Sequence, residues 1–343
     1  MRKVVSVSPL QLDSNPYIEL LHESVRDCGW ELCDCGLNAI LRLRPRIFHM
    51  HWPEWSLTSR SGRLAPVKSV YFLMRLALYK LLGMKVIWTV HNLKPHDCRV
   101  ASPIVDLFYY CFITFVDGCV FLSSGTRTES CKAFPRLNKK DSVIVHHGDY
   151  RAVIPEHEDR QALRDRFNFS SDAKIFAAVG AIKNYKNIPA LIRSFRLLDG
   201  GQYKLIIAGA VSSEALKLEI QDLVKDDPRI VFYPDFMTDM EMAEFAEVCD
   251  VVVMPYKSIL NSGSALYALS MNRVILAPEL GVFRDLSEDL PDWLALYSGD
   301  LSPANLVRSI ELSGKNQGQV CDLSAYEWSR NASVLTAFYQ RNL

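Results

Sequence analysis

Short apolar runs alternate along this chain with longer stretches in which apolar residues return every three or four positions. That is the pattern of a parallel sheet covered by helices. In the first half, Val4–Val7, Ile47–His51, Val86–His91, Cys119–Leu122 and Val143–His146 predict strands, and Pro16–Cys28, Pro66–Leu82 and Pro103–Phe115 predict helices between them. The polar stretch Pro155 to Arg160 has no hydrophobic period and places a domain boundary there. The rhythm then restarts, with strands expected at Ile175–Val179, Tyr203–Ala208, Ile230–Tyr233, Val251–Met254, Val274–Ala277 and Leu294–Tyr297. A last helix, expected from about Ala325 or Tyr326, carries Trp328, Leu335 and Phe338 along one face. The expected architecture is α/β: Rossmann-like domains over 1–155 and 156–320, and a segment 321–343 whose helix crosses back to the first domain. The strand carboxyl ends of the two parallel sheets are expected to face a shared crevice, and ligands of open α/β sheets bind at such ends.

Composition narrows the class. The 343 residues are enough for two ordinary domains, and a hydrophobic share of 49% argues against disorder. Lys plus Arg number 39 and Asp plus Glu number 39, so no net field selects nucleic acid, and no nucleic-acid partner is expected. The nine cysteines are scattered and odd in number, and Cys33 and Cys35 lack the spacing of a redox or zinc pair; they read as reduced thiols of a cytoplasmic protein. The apolar part of the first residues is too short for a signal peptide, and the longest apolar run, Leu107 to Val116, is about half of what a membrane-spanning helix needs.

Four segments at strand ends carry candidate chemistry. Met254-Pro255-Tyr256, followed by Asn261-Ser262-Gly263-Ser264 and an apolar helix, gives a strand, a loop of small residues and a helix opening. The first-turn N–H groups and the positive end of the helix dipole make such an opening a diphosphate cradle, although Ser is also an ordinary helix cap. Gly180-Ala181-Ile182-Lys183-Asn184-Tyr185-Lys186 follows the first strand of the second half, where Lys183 and Lys186 either neutralise a diphosphate or are solvated surface lysines.

In the first half, His49-Met50-His51-Trp52-Pro53-Glu54-Trp55 closes one strand, and His91-Asn92-Leu93-Lys94-Pro95-His96 closes another. Imidazoles and a carboxylate beside tryptophans suit a sugar, whose apolar ring faces meet aromatics and whose hydroxyls need donors and acceptors. The spacing of the four histidines does not fit a zinc site, and no metal is expected. Finally, His146-His147-Gly148-Asp149-Tyr150 precedes the boundary, where Asp149 is either a functional carboxylate or the cap of a glycine turn.

Taken in order, these segments resemble the xanthan-type GDP-mannose:glycolipid β-1,4-mannosyltransferases. The matching stretches are Asn15-Pro16-Tyr17, His51-Trp52-Pro53-Glu54, His91-Asn92-Leu93 with Pro95-His96, His147-Gly148 with Tyr150-Arg151, Gly180 with Ile182, Tyr185-Lys186, Pro255-Tyr256, Asn261-Ser262-Gly263, Ala268-Leu269-Ser270 and Ala277-Pro278. The resemblance implies a GT-B fold, a nucleotide-sugar donor, no metal requirement and a lipid-linked oligosaccharide acceptor of exopolysaccharide or capsule assembly. Two departures stand out: Asp149 in place of a His, and Asn272-Arg273 in place of a small turn. Retaining GT-B enzymes carry two glutamates eight positions apart around the loop after Tyr256; here those positions are Ile259 and Tyr267, which favours an inverting reaction.

The expected donor site is Asn15, Gly180, Lys183, Tyr185, Lys186, Tyr256, Asn261, Ser262, Gly263 and Ser264. The expected acceptor site is His51, Trp52 and His96. Glu54 is the first candidate for the base, followed by Asp149 and Asp13, with His91 on the donor sugar or its phosphate. Two readings stand for the basic, apolar helix Pro66–Leu82: a surface that docks on the anionic inner membrane, or a core helix with snorkelling cations. Two rival functions stand as well, a nucleotide-sugar epimerase of the same fold and a degenerate transferase that binds without turnover. A dehydrogenase is disfavoured, because no Gly-x-Gly-x-x-Gly follows the first strand.

Overall fold

The structure is a computed structural model that describes residues 3–12, 16–57, 64–93 and 101–343. Asp13, Asn15, Lys94 and His96 lie outside the described residues. The chain divides into two compact units, Met1–Gly148 with Ala325–Leu343, and Asp149–Ser324. The division thus falls between Gly148 and Asp149, upstream of the polar stretch at 155–160, whose last residues cap and open a helix.

The first unit runs β1 (Val4–Ser8), α1 (Pro16–Asp27), β2 (Glu31–Cys33), α2 (Leu37–Leu43), β3 (Ile47–Met50), α3 (Ala65–Leu81), β4 (Lys85–Val90), α4 (Ser102–Phe115), β5 (Gly118–Phe121), α5 (Ser124–Ala133) and β6 (Asp141–Ile144). Its six strands are all parallel, in the order β2-β1-β3-β4-β5-β6. β3, β4 and β5 are nearly continuous runs of buried residues because helices cover both faces of a parallel sheet. The edge strand β2 was not expected; it has three residues, two of them half-buried, too few to print an apolar run.

The second unit runs α6 (Arg160–Arg166), β7 (Lys174–Val179), α7 (Ile188–Arg196), β8 (Tyr203–Ala208), α8 (Glu214–Val224), β9 (Ile230–Tyr233), α9 (Asp239–Val248), β10 (Val251–Val253), α10 (Gly263–Ser270), β11 (Val274–Pro278), α11 (Val282–Asp289), β12 (Leu294–Tyr297) and α12 (Pro303–Lys315). The sheet order is β12-β11-β10-β7-β8-β9, again all parallel. Local sequence sets the helix starts: Thr238 with Glu241 and Ser302 with Asn305 form capping boxes, and Ser213 caps α8. Asn272 ends α10 in the left-handed region (φ 55°), which Asn tolerates, and its Oδ1 accepts from the Cys321 N–H at 3.0 Å.

α13 (Trp328–Arg341) belongs to the first unit, where it packs along α1 and β6. It starts later than the sequence suggested, because Ser324–Tyr326 form a 3₁₀ turn. Leu335 and Phe338 are each 1% exposed, and Arg341 pairs with Asp141 at 2.9 Å at the start of β6. Among the described residues no helix is long and apolar enough to cross a membrane.

Candidate functional site

In each sheet the strand order reverses at one place, and there the crossovers leave in opposite directions and open a crevice at the strand carboxyl ends. In the second unit that place lies between β7 and β10; in the first it lies between β1 and β3. The candidate residues collect at these two switch points.

In the second unit β7 runs into Gly180 (φ +95°), and a 3₁₀ turn, Asn184–Lys186, leads through Asn187 (φ 55°) into α7. Neighbouring Gly209, at the end of β8, lies so close that a Cβ on it would sit 2.3 Å from the Gly180 carbonyl oxygen. With φ +143° and no room for a side chain, position 209 requires glycine. The loop is tied to the one after β10 by Lys257 N–H, which donates to the Tyr185 carbonyl at 2.8 Å.

Lys186 is 7% exposed, and its ammonium sits 5.5 Å from the centre of the Tyr256 ring. Burial, aided by the Lys183 charge, lowers its pKa to about 8. A cavity of about 10 Å³, room for roughly one water, is lined by Gly180, Lys186, Met254 and Tyr256. Tyr256 is packed edge-on by Tyr185 at 5.6 Å and hydrogen-bonded by Ser264. Ser262 Oγ accepts from Ala265 N–H at 3.2 Å, so the serine is a true cap as well as part of the loop. The first-turn N–H groups of any helix lack intrahelical acceptors, and this helix opens toward Tyr256 through Ser264.

In the first unit β3 delivers His51, whose N–H donates to Ser8 at the end of β1 (3.1 Å). The chain then turns through the 3₁₀ segment Pro53–Leu57, which carries Glu54. The Nδ1 of His51 and the Nε2 of His91 are 3.0 Å apart, and Trp52 stacks on His91 at 4.5 Å and on Trp55 at 5.5 Å. Tyr17, from the start of α1, meets His91 edge-on at 5.0 Å and His147 at 4.7 Å. Glu54 is 7% exposed; burial raises its carboxyl pKa, while Asn92 Nδ2 donates to Oε1 at 2.9 Å and offsets part of that rise. The ends of β3 and β4 thus carry packed aromatic faces and a buried carboxylate held by Asn92.

The remaining candidates fall elsewhere. His49 hydrogen-bonds Tyr339 Oη at 2.5 Å and Thr89 Oγ1 at 2.7 Å, so it is a satisfied core residue. Asp149 is the first residue of the second unit, and its Oδ1 accepts from Arg151 N–H at 2.9 Å, as in a capped turn. Asn15 and His96 lie outside the described residues. Among the described residues no group of three or more His, Cys, Asp and Glu side chains is arranged to hold a metal ion. Asn92, Tyr339 and Gly209 were given no role by the sequence reading. Only Gly209 left a local signal, a glycine at a strand end beside that of Gly180.

Residues 159–266 match the family model of glycosyl transferases group 1. Over 328 residues the chain is 26% identical to a GDP-mannose:glycolipid 4-beta-D-mannosyltransferase of Xanthomonas campestris pv. campestris, covering 93% of this chain and 86% of that protein. Among solved structures it is similar to a sucrose-phosphate synthase from Thermosynechococcus elongatus, with a TM-score of 0.72 at 12% identity over 99% of both chains. HepE of Anabaena in complex with UDP-glucose gives a TM-score of 0.62 at 12% identity, covering 99% of this chain and 98% of that one. At such identities these structures speak for the fold, and the whole-length relative and the family match speak for the enzyme class. The chain has the GT-B fold, its residues 159–266 match the group 1 glycosyl transferases, and it is similar along nearly its whole length to the mannosyltransferases its motifs resemble.

Proposed function

We propose that this chain transfers mannose from GDP-mannose to a lipid-linked oligosaccharide, with inversion at the anomeric carbon. Lys186 carries the reading: a buried ammonium at the β7–β10 switch point, beside Tyr256 and the opening of α10, whose pKa is lowered by burial and by the charge of a second lysine, Lys183. A group so placed is suited to a di-anionic ligand. GDP-mannose and a glycolipid are in the name of the whole-length relative, and that name supports a transferase over an epimerase.

In the proposed step the acceptor hydroxyl oxygen forms a bond to the anomeric carbon, and the bond from that carbon to the diphosphate oxygen breaks. The nucleoside diphosphate leaves with the bonding pair, and the hydroxyl proton passes to Glu54. Lys186, Lys183 and the α10 opening offset the charge growing on the leaving group, so the transfer runs without a divalent metal. Burial keeps Glu54 more basic than an ordinary carboxylate, the direction a general base needs. Tyr267, at one of the positions where retaining relatives carry glutamate, has a buried hydroxyl without a hydrogen-bond partner among the described residues and offers no carboxylate to the donor sugar. The acceptor's lipid is held at the cytoplasmic face of the membrane through α3, whose Val67, Val70, Tyr71, Met74 and Leu81 are each more than half exposed.

Thermal unfolding in the presence of GDP, UDP and dTDP sugars tests the donor. A ligand that binds the native state raises the midpoint. GDP-mannose should raise it in the wild type and not in Lys186→Ala; a rise confined to UDP sugars would overturn the assignment.

A further inference from the structure

The amino ends of the second sheet frame a recess of their own. Lys174 opens β7, Asp250 precedes β10 and Arg273 precedes β11; with Arg160 and Arg164 of α6 and Glu247 of α9 they line a cavity of about 700 Å³. That volume lies within the range of small-molecule sites. β7 has six residues, so Lys174 is separated from the diphosphate end of the same strand by about 17 Å at the rise of a parallel strand. The two sites are therefore distinct.

Positive charge exceeds negative on this wall, four cations against two carboxylates, and both carboxylates are already engaged. Asp250 accepts from Arg160 Nη2 at 2.6 Å, from Arg164 Nη2 at 3.2 Å and from Ile175 N–H at 2.7 Å. Glu247 accepts from Arg273 Nη2 at 2.5 Å. The Nε–H groups of Arg164 and Arg273 are buried and have no acceptor among the described residues. Arg164 itself is 6% exposed. Asp172, close to Lys174 in sequence, accepts from the Ser170 hydroxyl. Side-chain amides of Gln161 and Gln317 complete the polar rim.

A concave wall with surplus cations concentrates anions, and guanidinium groups match phosphate oxygens in geometry. We propose that this recess binds a small phosphorylated anion, a sugar phosphate or a free diphosphate, independently of the sugar-nucleotide donor.

Calorimetric titration of the full chain with inorganic pyrophosphate and with glucose 6-phosphate, at low salt, tests the assignment. The Lys186→Gln variant, which removes the buried cation of the donor site, should still bind one of the two anions. Lys174→Glu and Arg160→Gln should each weaken that binding at least about tenfold, the loss of one charge-assisted contact. Lys174 is exposed, so its variant should keep the wild-type circular dichroism and unfolding midpoint even if Arg160→Gln does not. Absence of binding by Lys186→Gln, or unchanged affinity in a folded Lys174→Glu, would overturn the proposal.

Discussion

The Nδ1 of His51 lies 3.0 Å from the Nε2 of His91, so the two buried rings share one hydrogen between them, one donating and the other accepting. A proton added at the accepting nitrogen would set two N–H groups against each other. Burial, reinforced by the neighbouring histidines, holds both pKa values well below the usual imidazole value. His22 and His147 are lowered to about 4 and His49 to about 3 by the same burial. Their unfolded forms titrate near 6.5, so below that pH the unfolded chain binds more protons than the native one. Stability present above about pH 6.5 is lost as pH falls toward 4. Trp30, Trp52, Trp55, Trp88 and Trp328 all belong to the first unit, so tryptophan fluorescence reports mainly on it. The urea midpoint followed that way should be lower at pH 5 than at pH 7, and His22→Gln with His147→Gln should flatten the difference. A midpoint independent of pH over this interval would refute the account.

Glu54 works in the opposite direction. Its carboxyl pKa is raised, so the native state holds the proton more tightly than the unfolded one, and ionising it as pH rises above the ordinary glutamate value costs stability. Glu54→Gln keeps a shape that still reaches Asn92 and removes that cost. The variant should melt higher than the wild type at neutral pH while turnover falls by about 10²–10⁴-fold, the usual contribution of a general base. Near-normal transfer would remove Glu54 from the mechanism.

For Lys186 the pKa of about 8 means that near pH 8 about half of the free enzyme lacks this proton. A bound diphosphate favours the charged form, so binding at pH 8 should take up about half a proton. In the free protein the group is depressed from 10.5, and its contribution is a stability that increases as pH rises from about 8 to 10.5. Titrations in buffers of different ionisation enthalpy measure the uptake, which should vanish in Lys186→Gln.

Gly209→Ala would bring a methyl group to 2.3 Å from the Gly180 carbonyl, in a backbone conformation at φ +143° that side chains avoid. A cost of about 1–3 kcal/mol is expected from the strain. Nucleotide affinity should fall too, because the turn that positions Lys186 has to shift. Gly201→Ala is the control, since a Cβ there meets nothing within 4 Å.

The exposed face of α3 gives a separate test. Tyr71 is 63% and Met74 65% exposed, so Tyr71→Ser with Met74→Ser should change stability by no more than about 0.5 kcal/mol each. Flotation with anionic liposomes should drop sharply in the double variant. Equal flotation of variant and wild type would assign this face to something other than lipid.

Local pattern made the frame of the protein legible. Ile230–Tyr233 is a continuous apolar run between Arg229 and Pro234, and it is β9 to the residue. Ser262 could be read as a cap because capping acts over three residues. What stayed hidden is held by contacts distant in sequence: Asn92 on Glu54, and Tyr339 on His49 across almost the whole chain. Nothing in the neighbourhood of His49 distinguishes a core imidazole from a binding one; the phenol that satisfies it arrives from α13. For α3 the sequence leaves two readings open, because its cations suit either; exposure of Val67, Val70 and Tyr71 is a property of what the Pro53–Leu57 turn and α4 leave uncovered.

That last helix also has a consequence for biosynthesis. Residues up to Gly148 leave the ribosome long before α13, yet Tyr339 and Phe338 occupy their interior and Arg341 tethers the edge strand. The intervening unit, Asp149–Ser324, has all its strands in one uninterrupted stretch and can mature as soon as it emerges. The earlier-made half thus stays open, with its imidazole cluster and sheet face exposed, until the later-made half is finished. Nascent chains should therefore acquire protease resistance in the reverse of their order of synthesis.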